Sequence, residues 1–277
     1  MNMARQQEPA GLDWDLIWRQ SCRRRKSDRN DREFWNKRAP SFADHARESS
    51  YVTDFIRITA LPPQWSVLDV GCAAGTLAIP LAAKVRTVTA VDFSENMLAI
   101  LSKRCHERGI TNVQTRLLAW EDDWQAAAIE KHDVAIASRS LVVEDLSGAI
   151  KKLASMARHR VIISSLVSDG PFDRRIFQAI DRDLDRGPDY ICVYNLLHQM
   201  GIYADVTFID NGGEEKKTFM DLDDAVSGYR WMIGDMTHEE ERRLRSYLEK
   251  HLEKTKEGYA LDYLHPVRWA ILSWNKG

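Results

Sequence analysis

Short apolar runs alternate with stretches of helical period along most of this chain. Residues 66–70, 88–91, 134–137 and 161–165 are the runs, rich in Val, Ile, Leu and Ala and too short for helices. Continuous apolar runs of this length suit strands buried on both faces, as in a parallel sheet. Residues 113–118 alternate apolar with polar and predict a further strand. Two more strands are expected at 204–209 and 267–274. Helices are expected at 51–60, 145–157, 172–184 and 190–200; the first stops before Leu61-Pro62-Pro63, where proline cannot continue it. Pro80 follows closely on the first strand, so the helix there should be irregular in its first turns. Strand–helix alternation predicts an α/β fold with a doubly wound, parallel sheet.

The first strand runs into Asp69-Val70-Gly71-Cys72-Ala73-Ala74-Gly75. Glycine tolerates positive φ and lacks a Cβ, so Gly71 and Gly75 permit a sharp turn and the close approach of a ligand to the main chain. The helix beyond offers its free N–H groups to that ligand. The second strand ends in Asp92, roughly 20 residues on, where α/β folds of this type place an acid for a ribose hydroxyl pair. Phe93 follows, Ser94 is suited to cap a helix, and Met97 and Leu98 come early enough in it to pack near an adenine edge; Gly109 ends it. A dinucleotide site requires G-x-G-x-x-G, whereas here the spacing is G-x-x-x-G with Asp69 two places before it. A carboxylate there repels a pyrophosphate and attracts a cation.

Strand, acid, glycine turn and second acid together resemble the nucleotide-binding turn of class I S-adenosylmethionine (SAM) methyltransferases. The resemblance covers nearly the whole chain. It implies a three-layer, Rossmann-like, seven-stranded, mostly parallel sheet with an antiparallel last strand, and SAM as cofactor. It places Asp69, Gly71, Cys72, Ala73, Gly75, Asp92, Phe93 and Met97 around the cofactor. Members commonly carry an acid for the adenine amino group at about Ala119; here the acid shifts to Glu121 or Asp122, and Trp120 offers a flat surface, or else simply covers the sheet edge. Ser138 and Arg139 follow the fourth strand, where the family brings protein closest to the reactive methyl group. Upstream, Phe34-Trp35-Asn36-Lys37-Arg38-Ala39-Pro40-Ser41-Phe42 resembles the aromatic lid of small-molecule members. On that reading Trp35 and Arg38 belong to the cofactor site, with Arg38 either meeting the methionine carboxylate or remaining a surface residue. Residues 1–50 are thus expected to form a helical lid segment. Residues 51–277 form the core, with a helical insertion at about 210–266 that begins beside the site and is a candidate cap.

Composition narrows the partners. A formal charge of −2 gives no general attraction to DNA or to an anionic membrane. The basic run Arg23-Arg24-Arg25-Lys26, with Arg29 and Arg32, is interleaved with acids and suits a solvated face, with an RNA contact as the other reading. No apolar leader and no long apolar run are present, and Cys22, Cys72, Cys105 and Cys192 show no metal or C-x-x-C spacing, which predicts a cytoplasmic protein with reduced thiols.

No Asn/Asp-Pro-Pro-Tyr/Phe sequence follows the fourth strand, against methylation of DNA amino nitrogens, and no acid stands there as a metal ligand, so no catalytic metal is expected. Tyr194 and His198, at i and i+4, are candidate acceptor-side residues, with His198 a base or a packed histidine. The expected activity is methyl transfer to a small molecule. An RNA or protein acceptor, or a non-catalytic SAM-binding regulator, is the alternative. The oligomeric state and the atom methylated are left open.

Overall fold

The sheet is assembled around β1 (Ser66–Val70), whose five residues are all buried. A computed structural model describes residues 11–24, 32–45, 50–211 and 217–276. β1 pairs in parallel with β2 (Thr87–Asp92) on one side and β4 (His132–Ser138) on the other. β3 (Val113–Leu117) extends the sheet beyond β2, and β5 (Ala157–Leu166) beyond β4. The final strand, β10 (Val267–Asn275), inserts antiparallel between β5 and β6 (Asp205–Asn211), giving the order β3-β2-β1-β4-β5-β10-β6. This is the expected seven-stranded, mostly parallel arrangement. Its register sets Asp69 beside Ala90, and so brings the Asp69 and Asp92 ends of β1 and β2 together.

Helices cover both faces. One core packs α3 (Ser50–Thr59), α4 (Ala78–Ala82) and α5 (Glu95–Glu107) on the sheet, through Tyr51, Phe55, Leu81 and Leu101 among others. The other packs α1 (Trp14–Arg24), α6 (Leu146–Ser155) and α8 (Tyr190–Gln199), through Trp18, Leu146, Ile150 and Leu197. Each such fully buried side chain contributes about 1.5–3 kcal/mol. α4 is a single short helix carrying Pro80, and turns occupy the residues before it, as the proline demands.

The N-terminal segment divides. α1 belongs to the core rather than to a lid: the Trp18 indole N–H donates to the Val143 carbonyl at 2.7 Å, and Arg19 pairs with Asp15 and Asp145. α2 (Arg32–His45) lies instead against α5, close to the glycine turn.

The insertion differs from a purely helical excursion. Besides α9 (Leu222–Ile233) and α10 (His238–His251) it contains β7 (Thr218–Phe219), β8 (Leu252–Thr255) and β9 (Gly258–Leu261), in a separate sheet ordered β7-β9-β8. α10 starts at a capping box formed by Thr237 and Glu240. Its hydrophobic core also draws Phe172, Ile176, Phe177 and Ile180 from the segment around α7 (Arg174–Ala179), which follows β5. The insertion therefore has its own core, assembled from two stretches of chain. Among the described residues no helix is long and apolar enough to cross a membrane.

Candidate functional site

The turn after β1 is tied to the end of β2. The N–H groups of Gly71 and Cys72 both donate to the Val91 carbonyl, at 2.8 and 3.0 Å. Ala73, at φ +47°, is left-handed without being glycine, a conformation costing about 1–2 kcal/mol. Its N–H donates to Asp92 Oδ2 at 2.8 Å, while Asp92 Oδ1 accepts from Ser94 N at 2.8 Å. Asp92 is thus built into the turn, and each oxygen keeps a further acceptor site.

Gly71 meets both expectations of a glycine here, positive φ and no room for a Cβ, and the space is taken by protein. At φ +73° a Cβ there would overlap the Ser140 side chain, whose Oγ donates to the Val70 carbonyl at 2.6 Å. A Cβ on Gly75 would meet Leu101 and Ile79. Both Cβ directions are filled by protein, so these glycines serve the close packing of the turn, and only the main chain of the turn remains for a ligand. Ser140 was not singled out from sequence, since nothing local marks a serine that closes on a glycine 69 residues earlier.

Two carboxylates meet here in apolar surroundings. Asp69 is 2% exposed and Asp92 6% exposed. Burial, then the charge of Asp92, pushes the Asp69 carboxyl up to about 7, against the N–H of Ala78, which lowers it. Burial likewise raises Asp92. Asp69 Oδ2 has no hydrogen-bond partner among the described residues. A buried acceptor without a donor costs free energy that a bound ligand can return. The pair suits a cation or a set of hydroxyl donors and opposes an anion. Burial also pushes the Cys72 thiol well up, so it is a packing residue rather than a nucleophile.

α2 closes over this turn. Ala39 packs with Ala74 and Met97, joined by Trp35, Ala73 and Ile100. Asn36, which the sequence did not mark, fastens it: Ser94 Oγ donates to Asn36 Oδ1 at 2.6 Å, and Asn96 Nδ2 donates to the Asn36 carbonyl at 3.0 Å. Arg38 points to the insertion, its guanidinium 5.4 Å from the Trp231 ring centroid of α9. Pro40 is exposed within α2; the Phe42 side chain lies outside the described residues.

At the exit of β3, Ala119 N donates to Asp122 Oδ2 at 2.8 Å, so Asp122 organises the turn; Asp122 and Glu121 are both exposed. Trp120 is partly buried, tilted 5.3 Å from Trp124, and its indole N–H donates to the Ser140 carbonyl at 3.0 Å. Phe93 is half-buried directly after Asp92.

Ser138 and Arg139, expected beside the cofactor, turn the other way. Ser138 Oγ is hydrogen-bonded to the Tyr51 hydroxyl at 2.7 Å. The Arg139 guanidinium lies 4.2 Å from the Tyr51 ring centroid and 5.4 Å from that of Trp269. Trp269 is on β10, so Arg139 reaches across β5, away from β1 and the glycine turn. Tyr194 and His198 are also displaced from their expected role. Both are exposed on α8, with His198 edge-on to Tyr203 at 5.7 Å. α8 ends shortly before β6, which runs parallel to β5, so His198 is near the opposite end of the sheet from the turn.

Residues 67–160 match the family model described as "Methyltransferase domain". A Haemophilus influenzae protein described as uncharacterized is 30% identical over 246 residues, 87% of this chain and 88% of that one. Among solved structures, a Bacillus halodurans protein provisionally assigned as a methyltransferase superposes with a TM-score of 0.55 at 14% identity, covering 81% of this chain and 98% of that chain. The YcgJ protein of Bacillus subtilis does so with a TM-score of 0.51 at 14% identity, over 84% and 98%. These likenesses extend the agreement in fold.

Proposed function

The chain belongs to the class I SAM-dependent methyltransferase family, and we propose that it transfers the methyl group to a small molecule enclosed between the glycine turn and the cap. The observation that carries the small-molecule reading is the approach of Arg38 on α2 to Trp231 on α9, which joins lid and cap beside the turn. An enclosed acceptor site favours a small acceptor over a docked macromolecule. On the described part of the basic N-terminal run, Arg23 pairs with Glu144, and residues 25–31 lie outside the described residues.

SAM supplies a methyl group on a positively charged sulfur. In this reading Asp92 accepts from the ribose hydroxyls, Asp69 faces the cationic end of the cofactor, and the main chain of residues 71–75 forms the bed. Met97, Trp35 and Trp120 supply apolar surface, and Glu121 or Asp122 takes the adenine-side position. Methyl transfer is an in-line displacement whose barrier falls chiefly by holding the nucleophile in place and excluding water. α2 and the cap would do both. Tyr51 is fully buried and its hydroxyl is pushed up from its usual range, chiefly by burial, so it keeps its proton and acts as a donor to Ser164 rather than as a base. The acceptor therefore brings its own nucleophile.

Release of S-adenosylhomocysteine from SAM, followed separately with a metabolite fraction and with RNA and protein fractions, tests this reading. Turnover confined to the macromolecular fractions would reject it.

A further inference from the structure

Arg139 is held as though for a ligand. It follows β4 directly at φ +57°, a left-handed conformation that an arginine adopts only at a cost of about 1–2 kcal/mol. Its N–H is anchored by Ser164 Oγ at 2.9 Å. The guanidinium rests on the Tyr51 face and beside Trp269, and burial draws its pKa down. No hydrogen bond or ion pair from it to a described residue is formed. The acids that follow β5 are already engaged: Asp169 takes two bonds from Arg174, at 2.8 and 3.0 Å, and Asp173 takes Arg175 at 2.9 Å. Arg139 is half-buried, so its guanidinium keeps an open side on which an anion can pair with it.

A second donor beside it also lacks a partner. Trp269 is 8% exposed, and its indole Nε1 is buried without a hydrogen-bond acceptor. Trp269 pairs with Leu166 at the end of β5, and Ser138 pairs with Ser164, so both donors stand at the same edge of the sheet as the glycine turn. They are displaced from it toward β10, which on the reading above is where the acceptor would lie beside a cofactor seated at β1 and β2.

We propose that Arg139 and the Trp269 indole N–H form the binding site for a carboxylate on the methyl acceptor, an inference that rests on the reading above. One planar cation and one neutral donor match a planar, singly charged carboxylate better than a phosphate dianion, which calls for more positive charge.

The test uses the full chain saturated with S-adenosylhomocysteine and titrated with benzoate, its neutral isostere benzamide, and inorganic phosphate, by calorimetry. Benzoate should bind saturably, and benzamide and phosphate at least about tenfold more weakly. Arg139→Gln should weaken benzoate by about tenfold or more, Trp269→Phe by a few-fold, and both should bind S-adenosylhomocysteine within about twofold of the parent. Arg139→Lys, which keeps the charge and loses the fork, should fall between, and guards against a folding defect in the glutamine variant. Equal binding of benzoate and benzamide, tighter binding of phosphate, or unchanged benzoate affinity in both the Arg139→Gln and Trp269→Phe variants overturns the site. So does a parallel loss of S-adenosylhomocysteine affinity in Arg139→Gln, which would move Arg139 into the cofactor pocket. Failure of the parent to bind S-adenosylhomocysteine would instead reject the cofactor reading, and the acceptor site with it.

Discussion

Asp92 Oδ2 accepts the Ala73 N–H at 2.8 Å, and this bond holds a left-handed alanine in the turn while aiming the carboxylate along it. Asp92 thus has two duties, shaping the turn and offering acceptors beyond it. Asp92→Ala should weaken S-adenosylhomocysteine binding by about 1.5–3 kcal/mol, the range for hydrogen bonds to charged groups. Asp92→Asn, which keeps one acceptor oxygen, should lose less. Calorimetric titration of both variants checks this, and parental affinity in a folded Asp92→Ala protein would remove Asp92 from the site.

The Asp69 carboxyl, raised to about 7 by burial and by Asp92, gives the site a pH dependence of definite sign. Between about pH 4 and pH 7 the folded, ligand-free protein holds a proton that the unfolded chain has released, so stability declines as pH rises through that window. A cationic cofactor favours the ionised form, so its affinity should rise as pH rises through about 7. Asp69→Asn should flatten both profiles and raise the ligand-free melting temperature at pH 8 by ~5 °C or more. Melting curves and SAM titrations between pH 5.5 and pH 8.5 would reveal it.

Gly71 and Ser140 are coupled by contact. Gly71→Ala places a methyl group on Ser140 and forces an L side chain to φ +73°, and both effects destabilise. Adding Ser140→Gly should remove the overlap and leave the backbone cost of about 1–2 kcal/mol. A double-mutant cycle by chemical denaturation should therefore show a coupling within about 0.5–3 kcal/mol. Additive effects would mean that the turn yields elsewhere.

Asn36 fastens α2 through Ser94 and Asn96. Asn36→Ala should cost about 1 kcal/mol of stability. Hydrogen exchange should then be faster in α2 of the ligand-free protein, with protection returning on addition of S-adenosylhomocysteine. If α2 exchanges alike in both proteins, Asn36 is not what holds it.

Patterns that act over a few residues were legible in the sequence, because strands buried on both faces must be apolar throughout and a sharp turn must use glycine. Hence β1, β2, the Gly71–Gly75 turn, Asp69 and Asp92 were all found at the correct places. Long-range placements were not. Ser140 and Asn36 are ordinary polar residues until the fold sets one on Gly71 and the other on Ser94. Arg139 was located correctly at the end of β4, but only the strand order shows that it reaches toward Trp269 and away from the turn. Tyr194 and His198 do share a helix face, and that face is the exposed one. The short strands β7, β8 and β9 were missed because two to four residues are too few to show a period, and Phe172 and Ile176 joined the cap although β6 separates them from the insertion in the chain.

The central claim is methyl transfer from SAM to an enclosed small molecule. Its most direct measurement is transfer of an isotopic methyl group from labelled SAM into a cell extract, with the products divided by ultrafiltration. Label should appear in the low-molecular-weight fraction, dependent on the parent protein and strongly reduced by Asp92→Ala. Label recovered only in RNA or protein, or none in any fraction although the protein binds SAM, would contradict it.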